Sequence, residues 1–186
     1  MRAVLVHASS SLVEERRRLG IDKKDERWEG EWHFVNPPKR WHGRLNTDLF
    51  LVLAPLARDR GLDPYADNTG VFADIEGDWR VPDQVYARPE HGIDEGVIGA
   101  ELVVEVRSPG DESYEKLPFY AARGVNEVLI VHRDRRIELH RLDVVGGYLV
   151  VDDVSGTTTS SVLGVTFTTV DGPALRIAWD GGSAEV

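Results

Sequence analysis

The sequence predicts a single α/β (α+β) domain, a mixed β-sheet flanked by helices, and three observations point there. Its elements read in the order helix, strand, helix, several strands, helix, strands. Residues 101–107 alternate, so that Leu102, Val104 and Val106 share one face of a strand while Val103, Glu105 and Arg107 share the other. Residues 128–131 form a short continuous apolar run of the kind that fills a sheet interior. A length of 186 residues suits one core, because a domain typically takes ~100–200 residues.

Taken in order, Ser11 and Glu14 have capping-box spacing, and Leu12, Val13 and Leu19 before Gly20 predict a short peripheral helix within an N-terminal extension of about residues 1–24. Trp32 and Phe34 alternate with Glu31 and His33, predicting one half-buried strand over 28–35 that Asn36-Pro37-Pro38 ends. Leu45, Leu49, Val52, Leu53 and Leu56 recur at helical spacing, which predicts the main helix over 41–60, kinked or broken at Pro55. Short strands follow at 68–73 and 81–87, then a polar loop over 88–99 long enough to be mobile. After the central strand, Ser108-Pro109-Gly110 turns the chain into a second helix over 111–123, disturbed at Pro118 and ended by Gly124. The run 128–131 pairs with Ile137 and Leu139 as a hairpin, a strand follows at 148–151, and 162–167 reads as an edge strand before an acidic tail of about 171–186.

Composition limits the function classes. With no cysteine, disulfides and thiolate zinc sites are excluded, so any metal is held by oxygen or imidazole. No run approaches the ~20 apolar residues of a membrane span, and residues 1–7 are too short for the apolar region of a signal peptide, which predicts a soluble cytoplasmic protein. The net charge of −10 repels nucleic acid unless the basic residues gather on one face. They bunch at Arg16, Arg17, Arg18, Lys23 and Lys24, and at Lys39, Arg40 and Arg44, as either solvated helix faces or a phosphate-binding path.

The chemistry centres on Asp83 and Glu105. Two carboxylates on adjacent strands can share a hard cation such as Mg²⁺ or Mn²⁺, which leaves its other positions to water. Such an ion generates a hydroxide and neutralises charge on a phosphate. Arg107 lies two residues after Glu105 on the same strand face, and Lys116 projects from the following helix. Each residue also has a structural reading: Asp83 after Pro82 as a turn cap, Glu105 as the partner of Arg107 or Lys116 in an ion pair, Lys116 as a solvated helix residue, His42 as a helix-start residue. Trp28, Trp32 and Trp41 read as core rather than as stacking platforms for bases.

The segments Asp-Glu-Arg-Trp-Glu-Gly (25–30), His42 after the Pro-Pro turn, Arg-Val-Pro-Asp (80–83), Val-Val-Glu-Val-Arg-Ser-Pro-Gly-Asp-Glu-Ser (103–113), Lys116 and Phe-Tyr-Ala-Ala-Arg-Gly-Val (119–125) resemble the Uma-two family of restriction endonucleases, in order, over roughly residues 12–170. That family belongs to the PD-(D/E)xK superfamily, whose core is a four-stranded mixed sheet with a helix on each side. The resemblance implies that Asp83 and Glu105 are metal ligands and that Glu26 and His42 line the cleft. The superfamily's general pattern would place lysine where Arg107 stands, and a guanidinium cannot act as a general base. The family pattern points instead to Lys116 on the next helix.

The expected function is therefore Mg²⁺-dependent hydrolysis of a phosphodiester in nucleic acid, DNA before RNA. Water attacks directly, Lys116 orients or activates it, Arg107 steadies the phosphate, and Lys39, Arg40 and Arg44 track the backbone. The rival is a catalytically degenerate module that binds nucleic acid or a protein partner; a metal-free carboxylate-pair glycosidase is the third reading. The apolar segment 162–167 is compatible with pairing across a two-fold axis, which would make a homodimer.

Overall fold

The computed structural model describes residues 3–5, 7–74, 77–151 and 156–186, the first three by backbone alone. Met1, Arg2 and Val6 of the expected N-terminal extension lie outside the described residues. In chain order the elements begin β1 (Ala3–Leu5), α1 (Ser10–Leu19), β2 (Glu26–Trp28), β3 (Glu31–Phe34) and α2 (Arg40–Arg58). Next come β4 (Asp63–Ala66), β5 (Gly70–Phe72), β6 (Trp79–Arg80), β7 (Gln84–Ala87), a 3-10 turn at Pro89–His91, β8 (Gly92–Ile93) and β9 (Gly96–Val97). The remainder comprises β10 (Leu102–Arg107), α3 (Leu117–Ala122), β11 (Glu127–His132), β12 (Ile137–Leu142), β13 (Tyr148–Val150), β14 (Thr157–Ser160), β15 (Val165–Val170), β16 (Ala174–Trp179) and β17 (Gly182–Glu185).

The alternation along β10 sets the layers. Its sheet runs β13-β12-β11-β10-β7-β4, with β10 and β11 parallel and the other pairs antiparallel. A parallel pair needs a crossover, and α3 supplies it. Leu102, Val104 and Val106 pack with Leu45, Leu49 and Leu53 of α2, whereas Val103 joins Tyr120 of α3, Val128 and Ile130 on the opposite face. The segment α2-β4-β7-β10-α3-β11 is thus a four-stranded mixed core with a helix on each side, the core that the family resemblance implies.

Several elements depart from the expectation. The strand read over 28–35 is a hairpin, because Glu29 and Gly30 both take positive φ (52° and 86°) in a two-residue turn between β2 and β3. Helix α1 is capped by Ser9, whose hydroxyl accepts from the Leu12 amide, rather than by Ser11. Helix α2 continues through Pro55 for one more turn; the donor missing there would have served the carbonyl of Leu51, a residue 68% exposed on the solvent face. The expected mobile loop at 88–99 is structured, since β8 pairs with β9 and β9 pairs with β5 in parallel. Gly96 is required there, as an added Cβ would lie 2.4 Å from the Gly70 carbonyl oxygen. The second helix spans only Leu117–Ala122, and Pro118 sits in its first turn, where a missing amide costs nothing.

The C-terminal residues form a four-stranded antiparallel sheet, β14-β15-β16-β17. Its Leu163, Val165, Phe167, Leu175 and Ile177 are buried in the same cluster as the α2 leucines. The residues read as a tail therefore carry β16 and β17, and β15 is an inner strand. Segment 162–167 spends its apolar surface inside its own molecule, which removes the observation that suggested pairing across a two-fold axis.

Candidate active site

Glu105 is a carboxylate in an apolar strand, a costly placement without partners. Its Oε1 accepts from the Lys116 ammonium (2.9 Å) and from the Tyr120 hydroxyl (2.7 Å). Lys116 is the residue before α3 and Tyr120 lies one turn further on, so the crossover helix delivers both donors to one spot. From β2, Glu26 Oε1 reaches the same ammonium at 2.8 Å and accepts from the Val81 amide at 3.0 Å, while its Oε2 accepts from Trp28 Nε1 at 2.8 Å. One ammonium is thereby held between two buried carboxylates.

Asp83 immediately precedes β7, and one further step of the β7–β10 register (Val104 opposite Gln84) sets it opposite Glu105. Its Oδ2 accepts from the Val106 amide at 2.9 Å and lies 3.2 Å from His42 Nε2, while Oδ1 faces Lys24 Nζ at 3.7 Å. Burial pushes Asp83 upward, but the bond and charge of His42, with Lys24 and the Val106 amide, hold its carboxyl below the usual range. Burial pulls His42 down; its bond to Asp83 and that residue's charge outweigh this and raise it. Glu105 goes the other way. Burial, opposed by Lys116 and reinforced by the charges of Asp83 and Glu26, raises its carboxyl to about 7.

Asp83, Glu105, Glu26, His42 and Lys116 line one cavity of about 400 Å³. Pro37, Pro38, Pro109 and Gly110 line its walls, and Lys39, Trp41 and Arg133 also face it. Among the described residues no group of three or more His, Asp or Glu could hold a metal by itself. The donor set fits a hard cation nevertheless: among the described residues Glu105 Oε2 has no hydrogen-bond partner and Asp83 Oδ1 has only the distant Lys24, and Mg²⁺ commonly takes one or two carboxylates and completes its shell with water and phosphate. A second concavity of about 380 Å³ holds two ion pairs, Arg88 with Glu101 and Arg141 with Glu127, and Arg60, which donates to the Leu56 carbonyl.

Of the sequence-predicted residues, Asp83, Glu105, Lys116, Glu26 and His42 come together. Arg107 does not: its guanidinium lies over the Tyr114 ring, 4.8 Å from the centroid, and does not line the cavity. Lys39 faces the cleft, whereas Arg44 is bonded to Asp48 at 2.6 Å and Arg40 is exposed on the helix. Sequence reasoning missed Lys24, hidden in a basic run that resembled a solvated face, and Tyr120, whose position one helical turn after Lys116 was the available signal.

The arrangement of sheets and helices is a nuclease-like fold. A solved structure described as a "putative nuclease belonging to DUF820" from Anabaena variabilis ATCC 29413 superposes with a TM-score of 0.59 at 14% identity, covering 75% of this chain and 82% of the other. The family profile Uma2, described as "Putative restriction endonuclease", matches residues 13–170, and the chain belongs to that family. Among curated proteins no match was found. No helix among the described residues is long and apolar enough to cross a membrane.

Proposed function

We propose that this protein is a cytoplasmic Mg²⁺-dependent endonuclease that hydrolyses phosphodiester bonds of DNA. The observation that carries this reading is the Lys116 ammonium, held between Glu105 and Glu26 in a cavity that Asp83 also lines. Asp83 and Glu105 would hold the ion through the oxygens left open to the cleft. When bound, the ion supplies Lewis-acid stabilisation of the phosphate and lowers the pKa of water. His42 and the Val106 amide fix the Asp83 carboxylate. Lys116, steadied from two sides, orients the attacking water and directs it at the phosphorus. Arg107, stacked on Tyr114 outside the cavity, takes no part in the chemical step.

Calorimetric titration with Mg²⁺ and Mn²⁺ tests the reading, together with cleavage of labelled DNA. Wild type is expected to bind the ion and cut; Asp83→Ala and Glu105→Ala are each expected to abolish both. Nucleic-acid binding without ion binding or cleavage would establish the degenerate module instead.

A further inference from the structure

The carboxylates of this cleft are recessed. Glu105 is 5% exposed, Asp83 8% and Glu26 1%, at the bottom of a cavity flanked by the exposed Asn36-Pro37-Pro38 and Pro109-Gly110 segments. A duplex carries its phosphates on a stiff convex surface and would have to bring one of them past both walls, whereas an unpaired strand can thread between them.

The charge distribution agrees. Binding a duplex rests on a broad face of Lys and Arg that displaces counterions from many phosphates. This chain carries a net −10, and of the eight basic residues that bunch in its sequence four are held in ion pairs: Arg16 with Asp25, Arg18 with Glu15, Lys24 with Asp67 and Arg44 with Asp48. Of the cations bordering the cavity, Lys24 and Lys116 are paired with carboxylates and two others are not. Among the described residues, the side chains of Lys39 and Arg133 make no ion pair, and the Arg133 guanidinium lies over the Trp41 ring at 5.3 Å, with both residues lining the cleft. A guanidinium laid on an indole offers a flat face on which a splayed base stacks, and a few cations with a stacking platform is how unpaired strands are held.

We propose that the cleft takes an unpaired polynucleotide strand, with the Trp41–Arg133 stack receiving a base and Lys39 an adjacent phosphate. This inference rests on the nuclease reading for what happens to the strand, but not for its binding. The test is fluorescence anisotropy of the full chain in EDTA, with a labelled ~12-nucleotide DNA strand, the RNA strand of the same sequence, and the DNA annealed to its complement. At least one strand is expected to bind roughly ten-fold or more tighter than the duplex, and the tighter of the two identifies the sugar. Arg133→Ala, at an exposed position, and Trp41→Ala should each weaken strand binding by roughly five-fold or more, with Trp41→Phe retaining most of it. Duplex binding as tight as strand binding, no binding of any probe, or strand binding unchanged in Arg133→Ala would overturn the inference. Cleavage is read separately with Mg²⁺ or Mn²⁺. Strand binding that depends on Arg133 without any cleavage would remove the nuclease reading alone, and cleavage that depends on Asp83 and Glu105 without strand preference would remove this inference alone.

Discussion

Glu105 divides its two oxygens: Oε1 is occupied by Lys116 and Tyr120, and Oε2 is left to the cleft. Lys116→Ala is expected to lower kcat by roughly 10²-fold or more while ion affinity by calorimetry changes little, and Lys116→Arg should not restore the rate. Stability follows from the same burial. The Glu105 carboxyl rises from an ordinary 4.5 to about 7 on folding, so the folded state holds the proton more tightly; on its account stability is full below 4.5 and is lost as pH rises through about 7. Glu105→Gln removes that loss. The difference in Tm between the Gln variant and wild type, measured without divalent ions, is expected to shift in favour of the variant between roughly pH 5 and pH 8. A difference that stays constant would show that Glu105 is not the proton-binding group. At this scale much of the site was legible, because a charged residue in an apolar strand and a Pro-Asp at a strand start are conspicuous. Lys24 was not, since its neighbour Asp83 lies far away in sequence.

Local hydrogen bonding sets the elements whose bounds depart from the sequence pattern. Residues 111–116 have helical composition, but the Asp111 carboxylate accepts from the amides of Ser108 and Ser113 and from the Ser113 hydroxyl, which folds the chain into a turn instead. The same turn puts Ser108, Pro109 and Gly110 along the cleft. The hairpin turn at Glu29-Gly30 was hidden because the tryptophans on either side continue an alternating pattern. Asp78 accepts from the amides of both turn residues and tethers the hairpin from a distance. At β9 the constraint is steric. Gly96→Ala drives a methyl against the Gly70 carbonyl, and urea unfolding is expected to show a loss of about 1–3 kcal/mol.

Across the whole molecule, the C-terminal sheet is the part the sequence concealed. Its first strand is Thr-Thr-Thr-Ser, which looks like a polar loop, yet Thr158 and Ser160 are buried while Thr157 and Thr159 meet Thr168 and Thr166 across the strand pair. Because Phe167, Leu175 and Ile177 share a cluster with the α2 leucines, truncation after residue 156 should yield a chain without a cooperative thermal transition. A truncated protein that melts like the full chain would show the central sheet to be self-sufficient. The Glu26–Lys116 contact joins the first hairpin to the helix after β10 and is therefore among the last arrangements a refolding chain can complete, since closing so long a loop gains nothing until both ends are already ordered. Catalytic competence should accordingly return more slowly than far-UV ellipticity after dilution from denaturant, and the interval between the two is the time the chain spends with secondary structure but no working centre.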